Sequence, residues 1–167
     1  MQTKEAILYA LTFSDRAVLS IIDEMSDAPT TFPTPNGGCH PLWVLGHLAL
    51  VEGGMQAVLF GTPNPVAEWQ PIFGDKSQPV ADRAAYPAFA EVRAKYVELR
   101  ESNLKLVQSL TEADLDKPTV APPKGLEHEF DTWGRSFLTL ALHRMLHRAN
   151  VTDARRAAGR TVLAARN

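Results

Sequence analysis

The chain has 167 residues, 45% of them hydrophobic, which suits one compact domain over residues 1–167 with a core that needs no disulfide. Its 19 acidic and 17 basic side chains nearly cancel and no long basic cluster occurs, which argues against nucleic acid as a partner. No apolar run approaches the roughly 18 residues that cross a bilayer, and the first residues lack the apolar core of a secretion signal, so we expect a cytoplasmic protein without a membrane partner.

Apolar residues recur at helical spacing along residues 3–25, which predicts a first helix with Thr3 as its N-cap. Residues 29–38 are rich in proline, glycine and threonine and should end that helix. A second helix is predicted to begin near Pro41, which suits a first helical turn, and to continue toward Phe60. Two consecutive glycines weaken its middle, and the close approach of a neighbouring helix is one explanation for them.

Residues 61–82 contain four prolines and two glycines and are predicted to be irregular, apart from one short turn around residues 69–73. A third helix is predicted from about residue 86 to residue 110. Residues 111–132 hold a capped turn followed by several prolines, and they suit a lid. The fourth helix is predicted over residues 133–158. Four amphipathic helices without an alternating strand pattern predict an all-α fold, a four-helix bundle whose long connections permit topologies other than simple up-and-down.

Three histidines are the candidate metal ligands. His143 and His147 are four residues apart on the fourth helix, so their imidazoles lie on one face and can reach a common point. Their stripe also carries Leu140, which directs them toward the bundle interior, and His47 occupies a comparable position on the second helix. No acidic residue shares the stripe of the fourth helix. The buried imidazoles therefore lack local partners, and a shared metal ion would satisfy them.

Other residues could assist this site, and each also has a plainer interpretation. Cys39 is the only cysteine, so a metal must rely on imidazole, carboxylate or water, and its thiol fits a small buried residue better than a catalytic group. His40 could cap the second helix or line the mouth of the site. His128 could be solvated or belong to a lid. Asn150 could bond to a ligand or serve packing, and Trp43 could wall the site or belong to the core.

The segment HPLWVLGHLA around His47 and the segment HRMLHRAN that begins at His143, followed by RRAAG, resemble the DinB-like family of metal-binding four-helix bundles. The resemblance spans most of the chain. It implies that His47, His143 and His147 form the metal triad of that family. Ala149 and Asn150 stand where many members have glycine and glutamine, a departure that leaves the three ligands unchanged.

The resemblance also implies a class of function. Members of the family include transferases and isomerases that act with low-molecular-weight thiols. We therefore expect a metal-dependent enzyme that performs nucleophilic transfer, resembling a thiol S-transferase, or hydrolysis of a small molecule, because three protein ligands leave a coordination position open. Zinc, nickel and iron all suit imidazole ligands. A noncatalytic metal- or small-ligand-binding bundle is the alternative, an apo structural bundle is a third, and a homodimer is compatible with a bundle of this size.

Overall fold

The computed structural model describes residues 1–33 and 38–160, and this part of the chain is all-helical. Its helices are α1 (Thr3–Asp23), α2 (Pro41–Phe60), α3 (Gln70–Phe73), α4 (Phe89–Ser109) and α5 (Trp133–Ala157). Single turns of 3-10 helix cover Ala67–Trp69, Arg83–Ala85 and Ala113–Asp116. The described residues contain no strand beyond one isolated bridge, so the predicted all-α fold is confirmed.

Two predicted helix starts need correction. The N-cap of α1 is Gln2 rather than Thr3, because Gln2 forms a capping box with Glu5 and Thr3 is already helical. The predicted third helix, α4, begins at Phe89 rather than near residue 86. Tyr86 is extended, with φ −126° and ψ 153°, as expected for a residue that precedes a proline.

The four long helices form a bundle in which α1 and α2 lie diagonally, each packed along α4 and α5. α1 runs antiparallel to α4 and parallel to α5, whereas α2 runs antiparallel to α5. The contacts that establish these directions are Lys4 Nζ to the Leu110 carbonyl, Arg93 to Asp23, Arg144 to the Leu11 carbonyl, Arg148 to the Ala17 carbonyl, and Phe60 against Trp133. The chain therefore runs up, down, down and up through α1, α2, α4 and α5.

Helix α2 is the central element of the bundle. Its mean hydropathy reaches 1.4, and it is the one helix in the described ranges that is long and apolar enough to cross a membrane by length and composition. The expectation concerned an uninterrupted apolar run, and His47 and Glu52 interrupt this one, so α2 passes only as an average over its window. The high hydropathy reflects burial, because 78% of the window lies inside the bundle and a helix covered on all sides is apolar all round.

Glycines in α2 make room for the segment that follows the helix. A Cβ atom at Gly46 would lie 2.4 Å from the ring of Phe73, and one at Gly53 would lie 2.3 Å from the side-chain oxygen of Asn64. Asn64 also donates a hydrogen bond of 2.9 Å to the carbonyl of Leu50. Gly53, one of the two consecutive glycines, thus accommodates the irregular start of the connection after α2 and not a neighbouring helix, whereas Gly46 accommodates the last residue of the short helix α3.

A buried ion pair joins α2 to α5. Arg144 Nε donates to Glu52 Oε1 at 2.9 Å, and the two side chains are 1% and 0% exposed. Arg144 also donates to the Leu11 carbonyl at 2.8 Å and to the Ser14 hydroxyl at 3.3 Å, while Glu52 Oε2 accepts from Asn103 at 2.8 Å. All four long helices therefore meet at this polar junction of Arg144, Glu52, Ser14 and Asn103, which sequence analysis did not predict.

The segment over residues 111–132 is anchored on both α2 and α5. The backbone N–H groups of Val120 and Ala121 donate to the Val58 carbonyl, near the end of α2 and about 16 Å along the helix axis from His47. The Thr139 hydroxyl donates to the Glu129 carbonyl at 3.0 Å, and Thr139 lies one turn before His143 on α5. The lid stays a prediction.

Replacement of Arg144 by methionine tests the polar junction. Because the substitution leaves the Glu52 carboxylate buried without its cation, we expect the free energy of unfolding to fall by about 3–5 kcal/mol. The double variant Arg144→Met with Glu52→Leu removes both charges and should recover part of that loss. Urea denaturation followed by circular dichroism measures both variants, and an Arg144→Met protein as stable as the wild type would contradict this role.

Candidate metal centre

The structure brings together the three histidines singled out from the sequence. His143 Nε2 lies 3.3 Å from His47 Nε2 and 3.1 Å from His147 Nε2. The candidate ligand atoms of the cluster all lie within 4.8 Å of one another. His47 is buried, and the other two are half-buried. Antiparallel packing of α2 on α5 sets this arrangement, because it brings the first half of α2 against the middle of α5.

The spacing of the ring nitrogens suits a small transition-metal ion. Two imidazole nitrogens bound tetrahedrally to zinc at about 2.0–2.1 Å are separated by about 3.3–3.4 Å. The two Nε2 separations, 3.1 and 3.3 Å, are close to that value. One ion could therefore contact all three rings after small adjustments of the side chains.

Hydrogen bonding and burial keep the imidazoles neutral. His47 Nδ1 lies 2.9 Å from the Phe73 carbonyl, which can only accept, so Nδ1 carries the proton and Nε2 presents its lone pair. Burial lowers the pKa of His47, and it lowers the pKa of His143 to about 4 and that of His147 to about 3. Protons near neutral pH therefore compete little with a metal for these nitrogens.

The cluster is not satisfied by its own hydrogen bonds. The Nδ1 atoms of His143 and His147 are buried and have no hydrogen-bond partner among the described residues. A single proton on His143 Nε2 can be donated to only one of its two neighbouring nitrogens, so the other close contact lacks a hydrogen bond. A cation among the three Nε2 atoms would be bound by a lone pair from each ring, so the residues present fit a bound metal.

Trp43 on α2 and groups from the connection after α2 orient His47. Trp43 stacks on the His47 ring with centroids 4.8 Å apart and planes 9° apart, and its indole N–H donates to Ser77 at 2.8 Å. The Asp75 carboxylate, 91% exposed, lies 3.8 Å from His47 Nδ1. Together with the Phe73 carbonyl, these residues support one side of the cluster. Sequence analysis had named Trp43 as a possible wall of the site, but it missed Ser77, Asp75 and the Phe73 carbonyl because irregular segments carry no periodicity.

A family comparison agrees with this geometry. The model that describes the DinB superfamily matches residues 10–151, most of the chain and all three histidines. The chain belongs to the DinB superfamily. The resemblance noted in the sequence is thereby confirmed. No curated protein and no solved structure gives a significant match.

In this DinB-superfamily chain, His40 is a helix cap rather than a ligand. Its Nδ1 accepts a hydrogen bond of 3.1 Å from the Trp43 backbone N–H, and its Nε2 lies 3.0 Å from the Val80 carbonyl and 3.2 Å from the Tyr86 hydroxyl. Nε2 therefore carries the proton. The side chain is fully buried at the start of α2, which confirms the capping interpretation.

The other candidates are not part of the triad. His128 is exposed and contacts Arg135 near the N-terminal end of α5, two turns before His143. The side-chain oxygen of Asn150 lies beside Gly38 in the connection before α2. Cys39 is half-buried, and burial raises the pKa of its thiol, which disfavours the reactive thiolate. Trp43 alone among the candidate helpers contacts a triad histidine within the described residues.

The buried, neutral side chain of His40 predicts that the protein loses stability in acid. Burial lowers the pKa of His40 from 6.5 to about 4, so between these values the unfolded chain binds more protons than the folded one. The stabilisation is fully present above pH 6.5 and is lost as the pH falls toward about 4. The variant His40→Asn keeps a capping acceptor but does not titrate. We therefore expect its free energy of unfolding to depend less strongly on pH than that of the wild type. Urea denaturation across this pH range measures the difference, and identical pH dependences would contradict the prediction.

Proposed function

We propose that this chain is a metal-dependent enzyme that holds a divalent transition metal through His47, His143 and His147. Its reaction is nucleophilic transfer to a small molecule, with a thiol S-transferase preferred over a hydrolase because of the family resemblance. The observation that carries the proposal is the convergence of three neutral imidazole nitrogens at metal-binding spacing. Zinc, nickel and iron are the candidate ions, since imidazole suits all three.

Three protein ligands favour chemistry over a purely structural metal. Structural zinc usually has four protein ligands, whereas catalytic zinc keeps a position for water or substrate. A cation bound here would lower the pKa of a coordinated water or thiol, or polarise a substrate oxygen. The protein fixes His47 through the Phe73 carbonyl and excludes water on that side with Trp43. The half-buried edges of His143 and His147 leave the approach for a substrate on the other side.

The nucleophile in the transferase proposal comes from outside the chain. Cys39 lies outside the cluster and its thiol pKa is raised by burial, so it is a poor internal thiolate. A low-molecular-weight thiol is the partner that fits, with a second small molecule as the acceptor. We also infer that residues 1–167 form one domain that works in the cytoplasm.

A noncatalytic metal- or small-ligand-binding protein is the second candidate, and the position of the cavities favours it. A cavity of about 440 Å³ lies beside Arg83 and Phe89, and one of about 320 Å³ lies between α2 and α4 beside Asn103. Neither of these two is lined by a triad histidine. The two functions differ in whether the bound metal can exchange a ligand with a small molecule.

Metal content tests the site itself. Protein purified without an affinity-tag nickel column should contain about one transition-metal ion per chain, and His147→Ala should reduce that content at least tenfold because two ligands bind far more weakly than three. His128→Ala is the matched control, since it removes a histidine outside the cluster and should keep the metal. Elemental analysis of the three proteins gives the result. Wild-type protein that lacks metal after growth in metal-replete medium would contradict the proposal.

Thiol titration separates the transferase from the other candidates. Cobalt(II) loaded into the metal-free protein should give visible absorption bands typical of low coordination number. If a thiol reaches the open position, addition of 2-mercaptoethanol should produce a new near-ultraviolet band from thiolate ligation. Unchanged bands at saturating thiol would count against thiol transfer while leaving metal binding intact. The His147→Ala protein, treated in the same way, is the negative control.

A further inference from the structure

The outer face of α5 carries an apolar stripe that nothing in the described part of the chain covers. Leu138, Leu142 and Leu146 are 37%, 67% and 71% exposed. A single exposed leucine needs no explanation, but three on one face of one helix form a contiguous apolar surface. The opposite face of α5 packs into the bundle through residues such as Phe137 and Leu140, so the stripe is additional to the core.

Two leucines of this stripe also belong to a set of residues with the spacing of a coiled-coil seam. Leu138, Leu142, Met145 and Ala149 follow one another at steps of four, three and four residues. This is the alternation of the two apolar positions in a heptad, which lets one helix pack against another by knobs into holes. Such a seam on a surface helix suits a second helix as its occupant.

Charged residues flank the stripe in an order that specifies which helix. Asp131 and Arg135 precede it, and Asp153 and Arg156 follow it; each of these side chains is between 43% and 57% exposed. Arg135, Asp153 and Arg156 lie on α5 at helical angles close to those of the leucines, and Asp131, just before the helix, is held at this face by its ion pair with Arg135. The order is therefore negative, positive, apolar, negative, positive.

This order is self-complementary only when two copies of α5 run antiparallel. With the two-fold axis between Leu142 and Met145, Asp131 faces the partner's Arg156 and Arg135 faces the partner's Asp153. The apolar residues then face apolar residues. A parallel pair would set each charge against its own copy, which is destabilising.

We propose that two copies of this chain associate as a two-fold symmetric dimer through antiparallel pairing of their α5 helices. The interface is isologous, because the same surface serves both partners. Tyr9 and Phe13, exposed on the neighbouring helix α1, are available to enlarge it. Leu146 lies one turn after His143, so the interface borders the triad. The inference does not depend on the proposed function, because it rests on residues outside the metal centre.

Charge reversal of each half of the interface tests the pairing. One variant carries Asp131→Arg with Arg135→Asp, and the other carries Asp153→Arg with Arg156→Asp. Each reversal keeps the ion pair that these residues form within one chain. In a dimer of either variant alone, however, like charges face each other across the interface. This repulsion should raise the dissociation constant of the dimer on the order of a hundredfold. A mixture of the two variants restores opposite charges in every contact and should form a heterodimer.

Sedimentation velocity of the full chain measures the outcome, with circular dichroism to show that each variant is folded. The proposal expects a wild-type dimer, two monomeric variants and a dimer in their mixture. Lys95→Glu with Glu98→Lys reverses an exposed pair on α4 and should leave the dimer intact.

The apolar part of the interface has its own test. Leu142→Glu should give a monomer, whereas Leu126→Glu, at a residue 47% exposed elsewhere on the surface, should not. A wild-type protein that stays monomeric at all concentrations would overturn the proposal. So would a dimer that persists in both charge-reversed variants, or a monomer that sediments with lipid vesicles through Leu142.

Discussion

The buried ion pair between Arg144 and Glu52 is the constraint on which the arrangement of the bundle depends. Withdrawal of two charges from water is costly, and the structure offsets that cost with hydrogen bonds from α1 and α4. These bonds can all form in only one register of the four helices. Because Arg144 adjoins His143 and Glu52 lies on the same helix as His47, the register that satisfies the ion pair also brings the imidazoles together.

The metal centre is supported unevenly. His47 has a carbonyl partner for its Nδ1–H and an indole stacked on its ring, both held by the connection after α2. His143 and His147 lack such partners among the described residues and remain half-buried. One ligand is thus fixed in advance, while two can adjust their rings as an ion or a substrate arrives. This asymmetry suits a site that must change its coordination during use.

Sequence reasoning identified the helices and the histidines because both depend on periodicity and on motifs that the family shares. It could not identify the role of Arg144, because a charged residue next to a histidine in the sequence is expected on the surface. Only the buried carboxylate of Glu52 explains why Arg144 lies in the core. Sequence reasoning could not identify the Phe73 carbonyl as the partner of His47, because every residue has a carbonyl and the sequence does not show which one lies nearby. Composition indicates irregular structure over residues 111–132 without giving its position, so the lid stays a prediction. The high hydropathy of α2 reflects burial within the bundle, which needs the same apolar composition as a membrane span.

The separation of the ligands along the chain determines when the site can form. His47 and His143 are 96 residues apart, and they meet only through packing between α2 and α5. During synthesis on the ribosome, His47 emerges long before its two companions, so no nascent fragment that ends ahead of α5 can contain the complete triad. Under the proposed function, loading with an ion must follow the synthesis of α5, so the newly made chain passes through an empty stage before it acquires a metal.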